Sequence, residues 1–176
     1  RRRHSFPTRR SSDLSTTLVR VGDVVYATGL ETIPNEPPLN NCRWTLFRRG
    51  AEGWTRIHAD TTGKTREPSP LITLGEGRVV VSANPTLAQG PTPNGGPARP
   101  ELWTFATAEP AADPTREFPL WDGAPKFSEH SYRSFSADGS NGEFILFQNI
   151  DYTHAEWAFR DRTGKWAAHS RLNWPW

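Results

Sequence analysis

The feature that most constrains how this chain folds is a threefold internal repeat. Each copy begins with a glycine that is followed at once by a run of mostly apolar residues. The glycines are Gly22, Gly77 and Gly142, which lie 55 and 65 residues apart. A repeat of this length is typical of architectures in which every copy forms one supersecondary unit and packs against the next copy.

Each repeat contains segments that favour four short strands. An entry strand is expected ahead of the second and third glycines, at residues 69–74 and 130–135, and a tryptophan segment follows each glycine run after a longer loop. Strands are expected because the chain has 16 Pro and 14 Gly, and no stretch of ten residues has helical periodicity. The tryptophans expected to pack between neighbouring units are Trp44, Trp54, Trp103, Trp157 and Trp166.

Four antiparallel strands per repeat predict the blade of a β-propeller, so we expect an all-β fold. The three blades would cover about residues 15–60, 66–122 and 127–176. Apolar runs on consecutive positions, such as residues 79–81, suit a sheet that is buried on both faces. A two-sheet sandwich is the alternative fold. Closed propellers have roughly 4–8 blades, so we expect a fragment whose partners include the missing blades of the same chain.

Residues 1–14 differ from the repeats in composition. They contain five Arg and one Asp, a formal charge of +4 in a chain whose total is +2, so the remainder carries −2. The peptide resembles one that recurs at the ends of unrelated metagenomic gene predictions, where sequencing-adapter DNA has been translated. We therefore expect an artefactual or disordered leader, with a transit peptide or a nucleic-acid-binding arm as the alternatives. The true start would then be lost, so the lack of a signal peptide is uninformative.

A turn in the third repeat resembles the Asp-box of BNR repeats, the bacterial neuraminidase repeat of sialidase-like propellers. Asp161 and Trp166 keep the five-residue separation of that motif, and Gly164 lies between them. The sequence departs from the motif because Phe159 takes the place of its Ser, the Gly is one residue late, and the second repeat has no such box. In an Asp-box the Asp caps backbone N–H groups of the turn and the Trp packs between blades.

The resemblance extends to bacterial BNR-repeat proteins that are relatives of polysaccharide lyases and glycosidases. It implies a carbohydrate substrate or ligand, and either a glycoside hydrolase or a polysaccharide lyase. It also implies a secreted or periplasmic location, and this expectation comes from the resemblance alone. An Asp-box is structural and implies the fold rather than the chemistry, so a non-catalytic propeller that binds glycan or protein is the alternative.

The candidate site lies where the longer loops would emerge together at one end of the third repeat. Its predicted catalytic residues are His130, Tyr132, Arg133 and His154. A His or a Tyr can transfer a proton, and an Arg can bind a sugar carboxylate through paired hydrogen bonds. The predicted substrate-binding residues are Asp151, Tyr152 and Trp121. The alternative for each residue is a packing role with a satisfied hydrogen bond.

Other classes of site find no support in the sequence. There is no Gly-rich phosphate loop, CxxC pair or HExxH segment, so we expect neither a metal nor a cofactor. The single Cys42 excludes an internal disulfide. No apolar run approaches the length of a membrane span, and the repeats carry no basic excess, so we expect neither a membrane nor a nucleic acid as partner.

Overall fold

A computed structural model describes residues 17–37, 41–75, 77–90, 95–128 and 130–174. Within these ranges the chain forms twelve β-strands and no helix. The same ranges accordingly contain no helix that is long and apolar enough to cross a membrane. The leader expected at residues 1–14 lies outside the described residues.

The strands form three four-stranded antiparallel sheets, each built from consecutive strands. Sheet 1 comprises β1 (Leu18–Val21), β2 (Val24–Thr32), β3 (Cys42–Gly50) and β4 (Gly53–Ala59). Sheet 2 comprises β5 (Leu71–Leu74), β6 (Arg78–Ala83), β7 (Glu101–Ala106) and β8 (Thr115–Glu117). Sheet 3 comprises β9 (Arg133–Asp138), β10 (Glu143–Ile150), β11 (His154–Arg160) and β12 (Trp166–Asn173). The prediction of an all-β fold with three four-stranded antiparallel units is confirmed.

The repeated glycines lie in the turns that join the first two strands of each sheet. Their φ angles are +58° at Gly22, +71° at Gly77 and +80° at Gly142, all in the left-handed region that favours glycine. At Gly77 a Cβ atom would also lie 2.6 Å from the hydroxyl oxygen of Thr107. The repeat of glycines in the sequence therefore reflects the same backbone requirement at three equivalent turns.

The three sheets pack face to face in chain order, and the first strands β1, β5 and β9 contact one another in succession. Sheet 2 is buried on both sides, because Val79 and Val81 face sheet 1 whereas Val80 faces sheet 3. The run of consecutive apolar residues in β6 thus has the two-sided burial that the sequence predicted. The core between sheets 2 and 3 is formed by Ile72, Leu74 and Leu102 of sheet 2 and by Phe135, Phe144 and Leu146 of sheet 3.

Aromatic rings fill the space between sheets 1 and 2. The ring of Trp44 lies 5.8 Å from that of Trp103 on the facing sheet and 4.7 Å from that of His58, centroid to centroid. His58 also lies 5.3 Å from the ring of Phe105. The predicted packing role of Trp44 is confirmed, since its side chain is fully buried.

The two interfaces do not include Trp54, whose side chain is 52 % exposed. Trp54 pairs with Arg49, and both residues lie on the face of sheet 1 opposite to Trp44. Trp157 also lies outside the two interfaces, because it pairs with Phe147 on the face of sheet 3 that is turned away from sheet 2. Trp54 and Trp157 thus lie on the outer faces of the first and last sheets, against which no further sheet packs among the described residues.

Candidate functional site

The connections β2–β3, β4–β5, β6–β7, β8–β9 and β10–β11 emerge at one end of the sheets, which we call the loop end. Between sheets 2 and 3 this end carries several polar and titratable side chains, which we call the loop-end group. Its members are Glu67, His130, Tyr132, Asp151 and Tyr152. All but Glu67 line a small cleft of about 50 Å³.

The closest contact in the group joins an imidazole to a carboxylate. Nδ1 of His130 lies 2.8 Å from Oε1 of Glu67, and Nε of Arg66 lies 3.4 Å from the same oxygen. A carboxylate on one ring nitrogen favours the tautomer that carries its proton there, which leaves the other nitrogen free to accept a proton. The side chain of His130 is about one-third exposed, so solvent or a ligand can reach the ring. The pair has the geometry of an oriented general base.

Two tyrosines continue the group from the histidine. The ring centroid of Tyr132 lies 5.6 Å from that of His130 and 6.1 Å from that of Tyr152. A hydrogen bond between the two phenols raises the pKa of Tyr132, and the negative charge of Glu67 raises it further. A phenol has an ordinary pKa of about 10, so Tyr132 is protonated at neutral pH with or without this change and carries a proton that it can donate.

Tyr152 is presented by an unusual turn. The β10–β11 connection was expected to be a long loop, but it is a turn of three residues between Ile150 and His154. Asp151 and Tyr152 have φ angles of +48° and +58°, in the left-handed region that most residues avoid. The amide of Thr153 donates to the carbonyl oxygen of Ile150 at 3.0 Å and closes the turn. Tyr152 lies at the tip of this turn and is 61 % exposed, and its ring lies next to that of Tyr132.

Arg133 lies behind the group and not in the cleft. The strand predicted at residues 130–135 begins only at Arg133, which pairs with Gln148 and is 7 % exposed. Its guanidinium donates to the backbone oxygen of Glu67 at 2.8 Å and lies 3.4 Å from the hydroxyl of Ser69. Burial lowers the pKa of Arg133 to about 10, so the side chain remains charged at neutral pH. Arg133 thus holds the backbone at Glu67 and does not line the cleft of the loop-end group.

His154 reaches the loop end from β11 but belongs to a different set of contacts. Its Nδ1 lies 2.8 Å from the hydroxyl of Thr153, and its Nε2 lies 3.3 Å from the buried carboxylate of Glu156. Glu156 also accepts a hydrogen bond from Arg171 at 2.8 Å. The structure therefore brings His130 and Tyr132 together but engages His154 elsewhere on sheet 3.

The last predicted sugar contact, Trp121, lies in the packing between sheets 2 and 3. Its ring is 4.8 Å from that of Phe127, and it packs against the buried cluster that includes Leu102. Of the three predicted substrate-binding residues, Asp151 and Tyr152 line the cleft and Trp121 supports the loop beside it.

The turn at Asp161 has the hydrogen bonds that the Asp-box resemblance implies. Oδ1 of Asp161 accepts hydrogen bonds from the amides of Thr163 at 2.9 Å and Lys165 at 3.0 Å. These bonds, with the Thr163 hydroxyl first, lower the pKa of Asp161. Gly164 has a φ of +86°, and the ring of Trp166 packs edge-on against Phe144 at 5.7 Å.

The same turn chemistry recurs elsewhere in the chain. Asp60 accepts hydrogen bonds from the amide and hydroxyl of Thr62, and Asp138 accepts them from the amide and hydroxyl of Ser140. An Asp followed two residues later by Ser or Thr is thus a general turn device of this chain.

The sequence did not single out Glu67 of the loop-end group, nor Arg66 beside it. They lie in the connection between sheets 1 and 2, outside any repeated pattern, and Glu67 contacts a histidine 63 residues further along the chain. No local spacing relates two such residues. Among the described residues, no group of three or more His, Cys, Asp or Glu is arranged to hold a metal ion.

Comparison with known proteins adds no family to this description. No protein-family model matches the chain, and a search of curated proteins finds no relative. Function is therefore inferred from the geometry of the loop-end group.

Proposed function

We propose that the chain is part of a β-propeller that acts on carbohydrate, and that the loop-end group is its site. Three four-stranded antiparallel sheets that stack in chain order, with their first strands in succession, fit neighbouring blades. Binding and catalytic groups usually lie on the loops of such a rigid scaffold. The Asp161 turn, with its capped amides and packed Trp166, supports the likeness to BNR repeats.

The observation that carries the proposal is the 2.8 Å contact between Glu67 and His130 beside a protonated Tyr132. In this proposal His130 accepts a proton through Nε2, while Glu67 holds the ring and stabilises the imidazolium that forms. Tyr132 donates its proton to the oxygen of the leaving sugar. General acid and base groups of this kind typically contribute roughly 10²–10⁴-fold in rate.

A polysaccharide lyase fits these groups better than a hydrolase. In a lyase the base removes the proton next to a uronate carboxylate, the glycosidic C–O bond breaks, a C=C bond forms, and the acid protonates the departing oxygen. Arg66, whose side chain is more than one-third exposed beside Glu67, is placed to attract the uronate carboxylate. Glycoside hydrolysis usually needs two carboxylic acids facing the bond, whereas the cleft itself is lined by a single carboxylate, that of Asp151, among the described residues.

A non-catalytic glycan-binding propeller is the second candidate. The exposed ring of Tyr152 beside Tyr132 supports it, because aromatic side chains offer flat apolar faces to sugar rings. In that case the Glu67–His130 pair would only hydrogen-bond sugar hydroxyls.

The test is an assay of the full chain on a panel of uronate-containing and neutral glycans. Lyase products are followed by the ultraviolet absorbance of the new double bond, and hydrolase products by reducing ends. We expect His130→Ala to lower turnover by about 10²-fold or more, and Glu67→Gln to lower it less and to change its pH profile. The matched control is Lys126→Ala, an exposed residue of the same β8–β9 connection.

The outcomes separate the two candidates. Turnover that is lost in His130→Ala but kept in the control supports the enzyme. Binding without turnover, weakened by Tyr152→Ala, supports the glycan-binding protein. A chain that neither cleaves nor binds any glycan of the panel contradicts both.

A further inference from the structure

The face of sheet 3 that is turned away from sheet 2 is apolar, and we call it the outer face of sheet 3. The strand register places on it the side chains of Ile145, Phe147, Trp157, Phe159 and Leu172. Trp157 pairs with Phe147 and Phe159 pairs with Ile145, so these side chains form two neighbouring rows across the sheet. Among the described residues no further sheet packs against this face. A contiguous apolar patch of this kind typically marks an interaction surface.

Sheet 1 also has an outer face, turned away from sheet 2, with an apolar centre and a basic end. The apolar residues on it include Leu18, Val25, Ala27 and Phe47. Arg20 and Arg49 lie on the same face at the turn end, by which we mean the end of the sheets where the β1–β2, β5–β6 and β9–β10 turns emerge. Both arginines are exposed, and within the described ranges neither forms an ion pair. The turn end of this face therefore presents two positive charges to a partner.

The turn end of the outer face of sheet 3 carries the opposite charge. Asp138 pairs with Glu143 across β9 and β10, and the register places both side chains on the outer face. Hydrogen bonds from the hydroxyl and amide of Ser140 lower the pKa of Asp138, so this carboxyl is ionised at neutral pH. Glu143 accepts a hydrogen bond from the side-chain amide of Asn141 at 2.9 Å. The outer faces of sheets 1 and 3 are thus complementary in charge at the same end.

The contacts inside the chain define how one sheet follows another. The first strands β1, β5 and β9 contact one another in succession, and their turns to the second strands emerge at the same end. If sheet 1 of a second copy follows sheet 3 in this way, its β1 lies beside β9 and its Arg20 lies over the Asp138–Glu143 pair. On both faces the charged side chains come first from the turn end, and apolar side chains follow along the strands. Charge therefore meets opposite charge, and apolar surface meets apolar surface.

We propose that the outer face of sheet 3 docks onto the outer face of sheet 1 of a second copy of this chain, and that two copies close into one ring. Two copies supply six sheets, which lies within the roughly 4–8 blades of closed propellers. A head-to-tail contact that closes in this way is made twice, so it covers both outer faces of both copies. The proposal rests on the blade arrangement of the proposed function and does not depend on the chemistry of the loop-end group.

Sedimentation velocity of the full chain over a range of concentrations tests the proposal. We expect a species with twice the mass of one chain. Trp157→Glu places a charge at the centre of each contact and should raise the dimer Kd by at least about 30-fold. The matched control is Leu87→Glu, which makes the same kind of change at an exposed leucine of the β6–β7 connection and should leave the Kd unchanged. Circular dichroism melts of both variants show that each is folded.

An exchange of charges tests the direction of the contact. Arg20→Glu and Glu143→Arg should each raise the dimer Kd by roughly tenfold, because each brings like charges together across the interface. The chain that carries both changes restores opposite charges between the copies, so it should regain part of the lost affinity.

Each outcome decides the proposal. A dimer that Trp157→Glu disrupts and the charge exchange partly restores supports it. A monomer at every concentration overturns it and leaves further sheets of the same chain as the occupants of the two faces. A mass that keeps rising with concentration shows open head-to-tail stacking and overturns the closed ring. A dimer that responds equally to Trp157→Glu and Leu87→Glu, or that the charge exchange does not restore, is joined through other surfaces and also overturns it. The measured mass does not depend on glycan cleavage, so this test can fail independently of the activity assay.

Discussion

Each of the two interfaces joins a pair of four-stranded sheets, but the side chains that pack in the two interfaces differ in chemistry. Between sheets 1 and 2, rings of Trp44, His58 and Trp103 pack together, and the ring nitrogens Nε1 of Trp44 and Nε2 of His58 are buried without a hydrogen bond. Between sheets 2 and 3, the side chains of Asn84 and Gln148 exchange two amide hydrogen bonds, at 2.8 and 3.2 Å, and both are fully buried.

The difference indicates which interface fixes the position of one sheet relative to the other. Ring packing is tolerant of direction and stabilises through buried area. A reciprocal amide pair fixes one register, because a shift would leave two buried amides unpaired. The amide of Asn84 also lies 3.5 Å from the backbone oxygen of Ser128, two residues before His130. The interface with the specific polar contacts is thus the one that carries the loop-end group.

The largest effect is expected from the aromatic interface. Trp44→Ala should lower the free energy of unfolding by about 3–5 kcal/mol, because it removes a fully buried ring and leaves a cavity. Trp54→Ala is the matched control and should change it by no more than about 0.5 kcal/mol, since that ring is largely exposed. Urea denaturation of both variants measures the two values. Similar losses in both would contradict the packing described here.

A smaller effect is expected from the amide pair. Gln148→Ala should lower the free energy of unfolding by about 1–3 kcal/mol, because it leaves the amide of Asn84 buried without its partner. Adding Asn84→Ala to that variant should cost less than Asn84→Ala costs alone, which a double-mutant cycle in urea detects. Strictly additive losses would show that the two amides do not depend on each other.

The smallest effect is a dependence of stability on pH at the aromatic interface. Burial lowers the pKa of His58, and the negative charge of Asp60 opposes this change. The unfolded chain therefore binds more protons at this residue, so the native state loses stability as pH falls below the ordinary histidine value of about 6.5, and regains it above.

Thermal melts at a series of pH values around 6.5 measure this dependence. His58→Gln removes the group and should flatten the part of the curve that it causes. If the melting temperature of His58→Gln changes with pH just as that of the wild type does, the pH dependence of stability comes from other groups.

Much of the fold could be predicted because the backbone requirements repeat. A left-handed turn needs glycine at Gly22, Gly77 and Gly142, so the repeats are visible in the sequence. Positions of individual aromatic residues were harder to predict. Trp54 and Trp157 recur at suitable spacings, but they lie on the outer faces of sheets 1 and 3, where no further sheet packs among the described residues.

The candidate site was predicted only in part, for two physical reasons. Arg133 lies two residues before the buried Phe135 on the same strand, so the period of two places both on the packed face, which the sequence interpretation did not use. Glu67 could not be found in this way. It approaches His130 through tertiary packing, with its backbone oxygen bound by Arg133, and no periodic pattern links these three residues.

The turn that presents Tyr152 has a consequence for anyone who engineers a more robust form of this chain. Two consecutive left-handed residues are best served by Asn-Gly, and Asp151-Tyr152 adopts the same backbone at a cost. A stability-guided redesign would therefore select glycine at position 152 and delete the phenol that meets Tyr132. Ranking sequences by thermostability would therefore discard the ring of Tyr152, which the proposed function uses. Selection for stability and selection for function would then favour different residues at position 152.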